Sequence, residues 1–196
     1  MGLIGIDEVG RGAWAGPLLV VAARTKKGRK LPTALKDSKL LSKKQRELLA
    51  VEIVKCCDIG QGWVSADMID ALGLANALKS ATLLTLLYLD AKSKDKILID
   101  GSVNFIKSTM YINVATKVRA DQSEPIVSAA SIIAKVLRDQ LMSEYGLDYP
   151  DYNFSKNVGY GTAGHIKSLD QFGITPLHRK SYRPIKERLL KSSNLI

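Results

Sequence analysis

Between Leu3 and Ala23 two apolar runs flank a charged, glycine-rich turn. Leu-Ile-Gly-Ile-Asp-Glu-Val leads into Gly-Arg-Gly, and a second apolar run follows from Pro17 to Ala23. Apolar segments of this length on either side of a glycine turn read as two strands, over 3–8 and 17–24, joined as an antiparallel hairpin with a wide loop. The first strand ends in adjacent carboxylates, Asp7 and Glu8, and the turn carries the cation of Arg11. A hard metal ion beside a phosphate backbone suits that combination.

The rest of the chain supplies a core for this hairpin. Gly28 to Lys39 reads as a basic loop, and Ser42 caps a helix to about Lys55. Ile59–Val64 alternates like a third strand. Ser65 or Asp67 starts a short helix to Leu72, Gly73 breaks it, and a longer helix continues to about Ala91. Strands are expected over Lys96–Asp100 and Tyr111–Val114, and Pro125 opens a buried helix to Tyr145. The tail from Tyr149 is richer in aromatics, glycines and basic residues, with short helices near Gly164–Gln171 and Pro184–Leu190. Opening antiparallel strands followed by crossover helices and more strands predict an α/β chain, a mixed five-stranded sheet covered on both faces.

With 196 residues one well-buried core is expected. The reading is a single catalytic domain over 1–196, with a core over 1–148 and a C-terminal helical substrate-binding segment over 149–196. A net charge of +10 points to an anionic partner, with nucleic acid the leading candidate. The two cysteines, Cys56 and Cys57, are adjacent and read as reduced residues of a cytoplasmic protein. No signal segment or apolar run long enough to span a bilayer stands out, so no membrane association is expected.

Four acidic residues, Asp7, Glu8, Asp100 and Asp121, fall at strand ends or just after strands. Strands converging at one sheet edge bring such carboxylates together. Oxygen ligands of this kind suit Mg²⁺, and two such ions support in-line phosphodiester hydrolysis. The simpler alternative is that Asp100 and Asp121 only make turns. Successive residues on a strand face opposite ways, so Asp7 and Glu8 share one site only if the strand ends or twists there.

Gly-Ile-Asp-Glu-Val-Gly-Arg-Gly over 5–12, with Lys-Asp-Ser-Lys over 36–39, resembles ribonuclease HII. The resemblance continues through Leu-Ile-Asp-Gly at 98–101 and Ala-Asp-Gln-Ser-Glu-Pro-Ile-Val-Ser-Ala-Ala-Ser-Ile-Ile-Ala-Lys-Val-Leu-Arg-Asp at 120–139. Gly-Tyr-Gly-Thr at 159–162 and His-Arg-Lys-Ser-Tyr at 178–182 complete a series that runs in the family's order over nearly the whole chain.

The resemblance implies a ribonuclease H-like fold. It also implies cleavage of the RNA strand of RNA–DNA hybrids, and cutting 5′ of ribonucleotides embedded in duplex DNA to leave 3′-hydroxyl and 5′-phosphate ends. Carried over by position, Asp7, Glu8, Asp100 and Asp121 are the family's catalytic, metal-binding carboxylates, serving a two-metal site of Mg²⁺ or Mn²⁺. Gly10, Arg11 and Gly12 correspond to the turn that senses the 2′-hydroxyl, the one group that separates RNA from DNA at a given site. Tyr160 corresponds to the tyrosine that packs on the adjoining sugar.

Lys39 and Arg179 read as phosphate contacts, with Lys180 and Arg183 nearby, and His178 as structural. Asp139, next to Arg138, reads as an ion-pair partner. Trp14 stands where many relatives carry a smaller residue or proline, a change at the rim of the site. Ribonuclease HIII fits less well, since it carries an extra N-terminal domain and lacks the arginine of the turn. The last residues show no paired-aromatic sliding-clamp peptide, and a monomer acting in ribonucleotide excision repair and DNA replication is expected. Two rivals stay open: another nuclease of this fold acting on DNA, and a nucleic-acid-binding protein without catalysis.

Overall fold

A computed structural model describes residues 2–35 and 41–193. They divide into two compact units. Met1–Val9, Leu19–Trp63 and Leu78–Leu137 form the first; Gly10–Leu18, Val64–Ala77 and Arg138–Ile196 form the second.

The first unit is built on the sheet. Its strands are β1 (Leu3–Val9), β2 (Leu18–Thr25), β3 (Cys57–Val64), β4 (Lys96–Asp100) and β5 (Asn113–Lys117), in the order β3-β2-β1-β4-β5. β1 pairs antiparallel with β2 and parallel with β4, and β4 pairs parallel with β5, so the sheet is mixed as expected. The hairpin register sets Asp7 opposite Val21 and Glu8 opposite Val20.

Helices flank the sheet. Leu19, Val21 and Ala23 of β2 pack with Leu49, Ala50 and Ile53 of α1 (Lys43–Cys56) and with the apolar stripe of α5 (Pro125–Asp148). Ser42 starts α1 through a full capping box with Gln45. After α2 (Ala66–Leu72) comes α3 (Leu74–Tyr88), whose Thr85 hydroxyl accepts the Ala22 N–H at 3.0 Å. β1 and α5 touch backbone to backbone: a Cβ on Gly5 would lie 2.6 Å from the Ile126 carbonyl carbon and 2.7 Å from the Val127 nitrogen. Cys56 and Cys57 sit buried at the α1–β3 junction as free thiols, sulfurs 3.8 Å apart. Burial, then the neighbouring Cys56, pushes the Cys57 thiol up to about 12.

Several boundaries differ from the sequence reading. α3 ends at Tyr88, where Asp90 turns into the left-handed region at φ 53°. The expected strand over Tyr111–Val114 lies at Asn113–Lys117, because pairing with β4 defines it and Ile112 is exposed. A four-residue helix, α4 (Ala120–Ser123), precedes α5 and follows Arg119, itself left-handed at φ 57°.

The second unit contains the helical C-terminal region. A 3₁₀ turn (Pro150–Tyr152) and α6 (Phe154–Asn157) precede α7 (Ala163–Phe172) and α8 (Arg183–Ser193). Met142, Tyr152, Phe154, Leu169 and Ile185 form its core, with Ala15 of the segment after the glycine turn.

Candidate active site

Asp7 and Asp100, two of the four expected carboxylates, lie near each other at the sheet edge of the first unit, and Asp121 follows on the turn that Asp100 holds. Strand alternation places Gly5, Asp7 and Val9 toward α5, and Gly5 and Val9 are seen in contact there. The parallel register ends at Ile6 opposite Ile99, so Asp7 and Asp100 stand one step beyond it at neighbouring strand ends. Asp100 then caps α4: its Oδ1 accepts the Ala120 N–H at 2.6 Å and the Asp121 N–H at 3.4 Å. The Asp121 carbonyl accepts the Ser128 hydroxyl, tying that turn to α5. Asp121 therefore owes its place to a short helix held by Asp100.

Asp7 is strongly perturbed. Burial drives its carboxyl up to about 7, and the charges of Glu8 and Asp100 push the same way. A Ser131 hydrogen bond and the Glu8 N–H, 2.8 Å from Asp7 Oδ1, oppose them in part. Glu8 follows on a regular strand, so alternation assigns it to the other face from Asp7. It nonetheless borders a cavity of about 200 Å³ together with Arg46, Asp121, Ser131 and Lys135. Sequence reading did not single out Arg46, Ser131 or Lys135. Lys135 and Ser131 lie four residues apart on α5, the spacing of one helix face.

Among the described residues no group of three or more His, Cys, Asp and Glu side chains is gathered to enclose a metal ion. A magnesium-type cation does not require one, since it keeps several waters and takes one or two carboxylates. Asp7 and Asp100 fit it by charge. A carboxyl raised chiefly by burial, with the like charges of Glu8 and Asp100 adding to it, is one that a bound cation would relieve.

The glycine turn belongs to the second unit. Gly10 is left-handed at φ 84°, and a Cβ there would run into the Arg138 guanidinium. Arg11 and Gly12 are exposed, and the nearest neighbour of a Cβ on Gly12 is Tyr160 Cε1 at 3.9 Å. Tyr160 is 37% exposed, and the Arg138 guanidinium lies 5.8 Å from its ring centre.

Arg179 is not a phosphate contact. It is fully buried, and its Nε and Nη2 donate to the Gly16 carbonyl at 3.1 and 2.9 Å while Nη1 donates to the Arg11 carbonyl at 3.1 Å. Arg138, read from sequence beside Asp139, is also fully buried and donates to the carbonyls of Pro17, Ala15 and Val158. Lys39 lies outside the described residues.

His178 takes a structural place. Its Nδ1 accepts the Thr175 N–H at 2.9 Å, which leaves the hydrogen of its neutral ring on Nε2. That Nε2 lies 2.9 Å from His165 Nε2, and His165 Nδ1 lies 3.0 Å from the Tyr160 carbonyl. One assignment satisfies the whole row: His178 Nε2–H donates to His165, and His165 Nδ1–H donates to Tyr160. Burial, then the neighbouring imidazole, holds His178 down at about 4, and burial lowers His165 as well.

Residues 4–185 match the family model for Ribonuclease HII. The chain belongs to the ribonuclease HII family. It is 44% identical to the ribonuclease HII of Campylobacter jejuni, covering 92% of this chain and 90% of that one. With the Streptomyces avermitilis enzyme it shares 42%, over 92% and 76% of the two chains. Its fold is similar to that of the Archaeoglobus fulgidus ribonuclease HII solved in complex with PCNA, with a TM-score of 0.80 at 28% identity over 93% of this chain and 96% of that one. Pyrococcus horikoshii ribonuclease H2 shares the fold at a TM-score of 0.77 and 24% identity, over 97% and 98%. The ribonuclease HII family consists of metal-dependent ribonuclease H endonucleases. Among the described residues no single helix is long and apolar enough to cross a membrane.

Proposed function

We propose that this ribonuclease HII relative hydrolyses the RNA strand of RNA–DNA hybrids and cuts duplex DNA on the 5′ side of an embedded ribonucleotide, leaving a 3′-hydroxyl and a 5′-phosphate. Asp7, Glu8, Asp100 and Asp121 hold two divalent ions, Mg²⁺ or Mn²⁺. Bound there, the ions supply Lewis acidity toward the phosphodiester and hydroxide at neutral pH. The observation that carries the reading is geometric: Asp7 and Asp100 stand one step beyond the last parallel pair, Ile6 with Ile99, and Asp100 accepts the N–H groups of Ala120 and Asp121.

The chain's own groups divide the remaining work. Asp100 orders the turn bearing Asp121 through its bond to the Ala120 N–H. Gly10, Arg11 and Gly12 offer backbone groups to the 2′-hydroxyl without a side chain in the way, and Arg11 is exposed to meet a phosphate. The half-open ring of Tyr160 packs on the sugar. Lys39 contacts phosphate. The enzyme acts as a cytoplasmic monomer in ribonucleotide excision repair and DNA replication.

The test is cleavage, in Mg²⁺ or Mn²⁺, of a DNA duplex carrying one ribonucleotide beside an all-DNA control. Cutting of the first alone is expected, and Asp7→Asn and Asp100→Asn lose it while still binding the duplex. Cutting of neither duplex by the parent overturns the reading.

A further inference from the structure

Recognition of a single hydroxyl needs partner groups held to a few tenths of an ångström. A Gly-Arg-Gly turn is the least able of segments to hold itself. Here the carbonyl of its middle residue is held by side chains from elsewhere in the second unit. The Arg11 carbonyl accepts from the Tyr182 hydroxyl at 2.6 Å and from Arg179 Nη1 at 3.1 Å, and Nη1 also donates to the Tyr182 oxygen at 2.9 Å. Arg179 spends its other donors on Gly16, its backbone N–H reaches the Trp14 carbonyl at 2.8 Å, and its guanidinium lies 5.1 Å from the Tyr182 ring centre. Burying a guanidinium is costly unless its donors are met. This one meets them on the 11–16 segment.

We propose that Arg179 and Tyr182 are positioning residues for ribonucleotide recognition, fixing and polarising the peptide between Arg11 and Gly12. This rests on the assignment of the glycine turn to the 2′-hydroxyl. The Arg11 carbonyl and the Gly12 N–H belong to one peptide group. A cationic donor and a phenol on the carbonyl make that N–H a stronger donor, since hydrogen bonds in a chain polarise one another. Gly12 is exposed, with Tyr160 its nearest neighbour on the side-chain direction, so the strengthened donor belongs to a residue beside the ring proposed to meet the sugar.

Tyr182→Phe removes one oxygen and keeps the ring over Arg179. The experiment measures kcat and KM on a DNA duplex with one ribonucleotide and on the same duplex with a 2′-fluoro nucleotide at that position, together with all-DNA affinity and thermal melting. Parent and variant should melt alike and bind all-DNA duplex alike. The variant's preference for the ribonucleotide over the 2′-fluoro duplex should fall by about tenfold, the size of one hydrogen bond, through kcat. Arg179→Lys, which reaches one carbonyl where arginine reaches two, should lose more of the preference. A Tyr182→Phe enzyme that keeps the parent's preference overturns the inference alone. A parent that cleaves no ribonucleotide duplex overturns the assignment of function and this inference with it.

Discussion

Asp7 carries an electrostatic liability that follows from its burial. Its carboxyl is ordinary in the unfolded chain and about 7 in the folded one, so between those values the folded state holds the extra proton. Its contribution to stability is intact below about pH 4 and is lost as pH rises through 7. In metal-free protein at pH 8, Asp7→Asn should therefore be the more stable form, by something on the order of a few kcal/mol. The gap should close as pH falls toward 4, as read by urea melts across that range. Mg²⁺ should raise the melting temperature of the parent at pH 8 and leave that of Asp7→Asn nearly unmoved. An Asp7→Asn protein less stable than the parent at pH 8 without metal would contradict the account. The acid pair was visible in the sequence because two carboxylates at the end of an apolar strand are out of place. The burial of Arg138 and Arg179 was not, since a guanidinium that will bond backbone carbonyls reads the same as one that will meet phosphate.

At the scale of elements, the contact that sets Asp7 against α5 is the absence of a side chain at Gly5. Gly5→Ala would drive a methyl into the backbone of Ile126 and Val127, and neither strand nor helix can yield locally. A loss of about 1–3 kcal/mol in urea unfolding is expected, the usual range for overpacking, together with weaker Mg²⁺ binding. Unchanged stability would show that β1 and α5 separate freely. The hairpin, α1 with its Ser42 cap and β4 were all legible, because apolar period and capping chemistry are local signals. β5 starts two residues and ends three residues later than expected, because Tyr111 and Ile112 resemble strand residues in sequence whereas the strand's place is fixed by bonds to β4. α4 was missed altogether: four residues leave no periodicity, and its cap, Asp100, lies twenty residues earlier.

For the molecule as a whole, the chain order of the motifs conceals a division. Asp7 and Glu8 are separated from Gly10 by one residue in sequence, yet the carboxylates fall in the first compact unit and the glycine turn in the second. The family resemblance read the motif as one block, while its two halves have different partners: Ser131 of α5 bonds Asp7 and Asp100 holds the α4 turn, whereas Arg179 and Tyr182 bond the Arg11 carbonyl. Substitution at Asp100 should alter metal response, and substitution at Tyr182 should alter sugar preference while leaving metal response intact.

The adjacent cysteines give the first unit a built-in clock. Cys56 and Cys57 are both buried, and the Cys57 thiol is held up at about 12, so an aromatic disulfide reagent reaches the pair chiefly when the junction opens. Colour release should then count openings of the α1–β3 junction. It should be slow in native buffer, rise with urea and follow the exchange of the junction's amide hydrogens. Immediate stoichiometric labelling of two thiols would refute this. A single cysteine placed on the surface, by the same logic, would accept a fluorophore without touching the native pair.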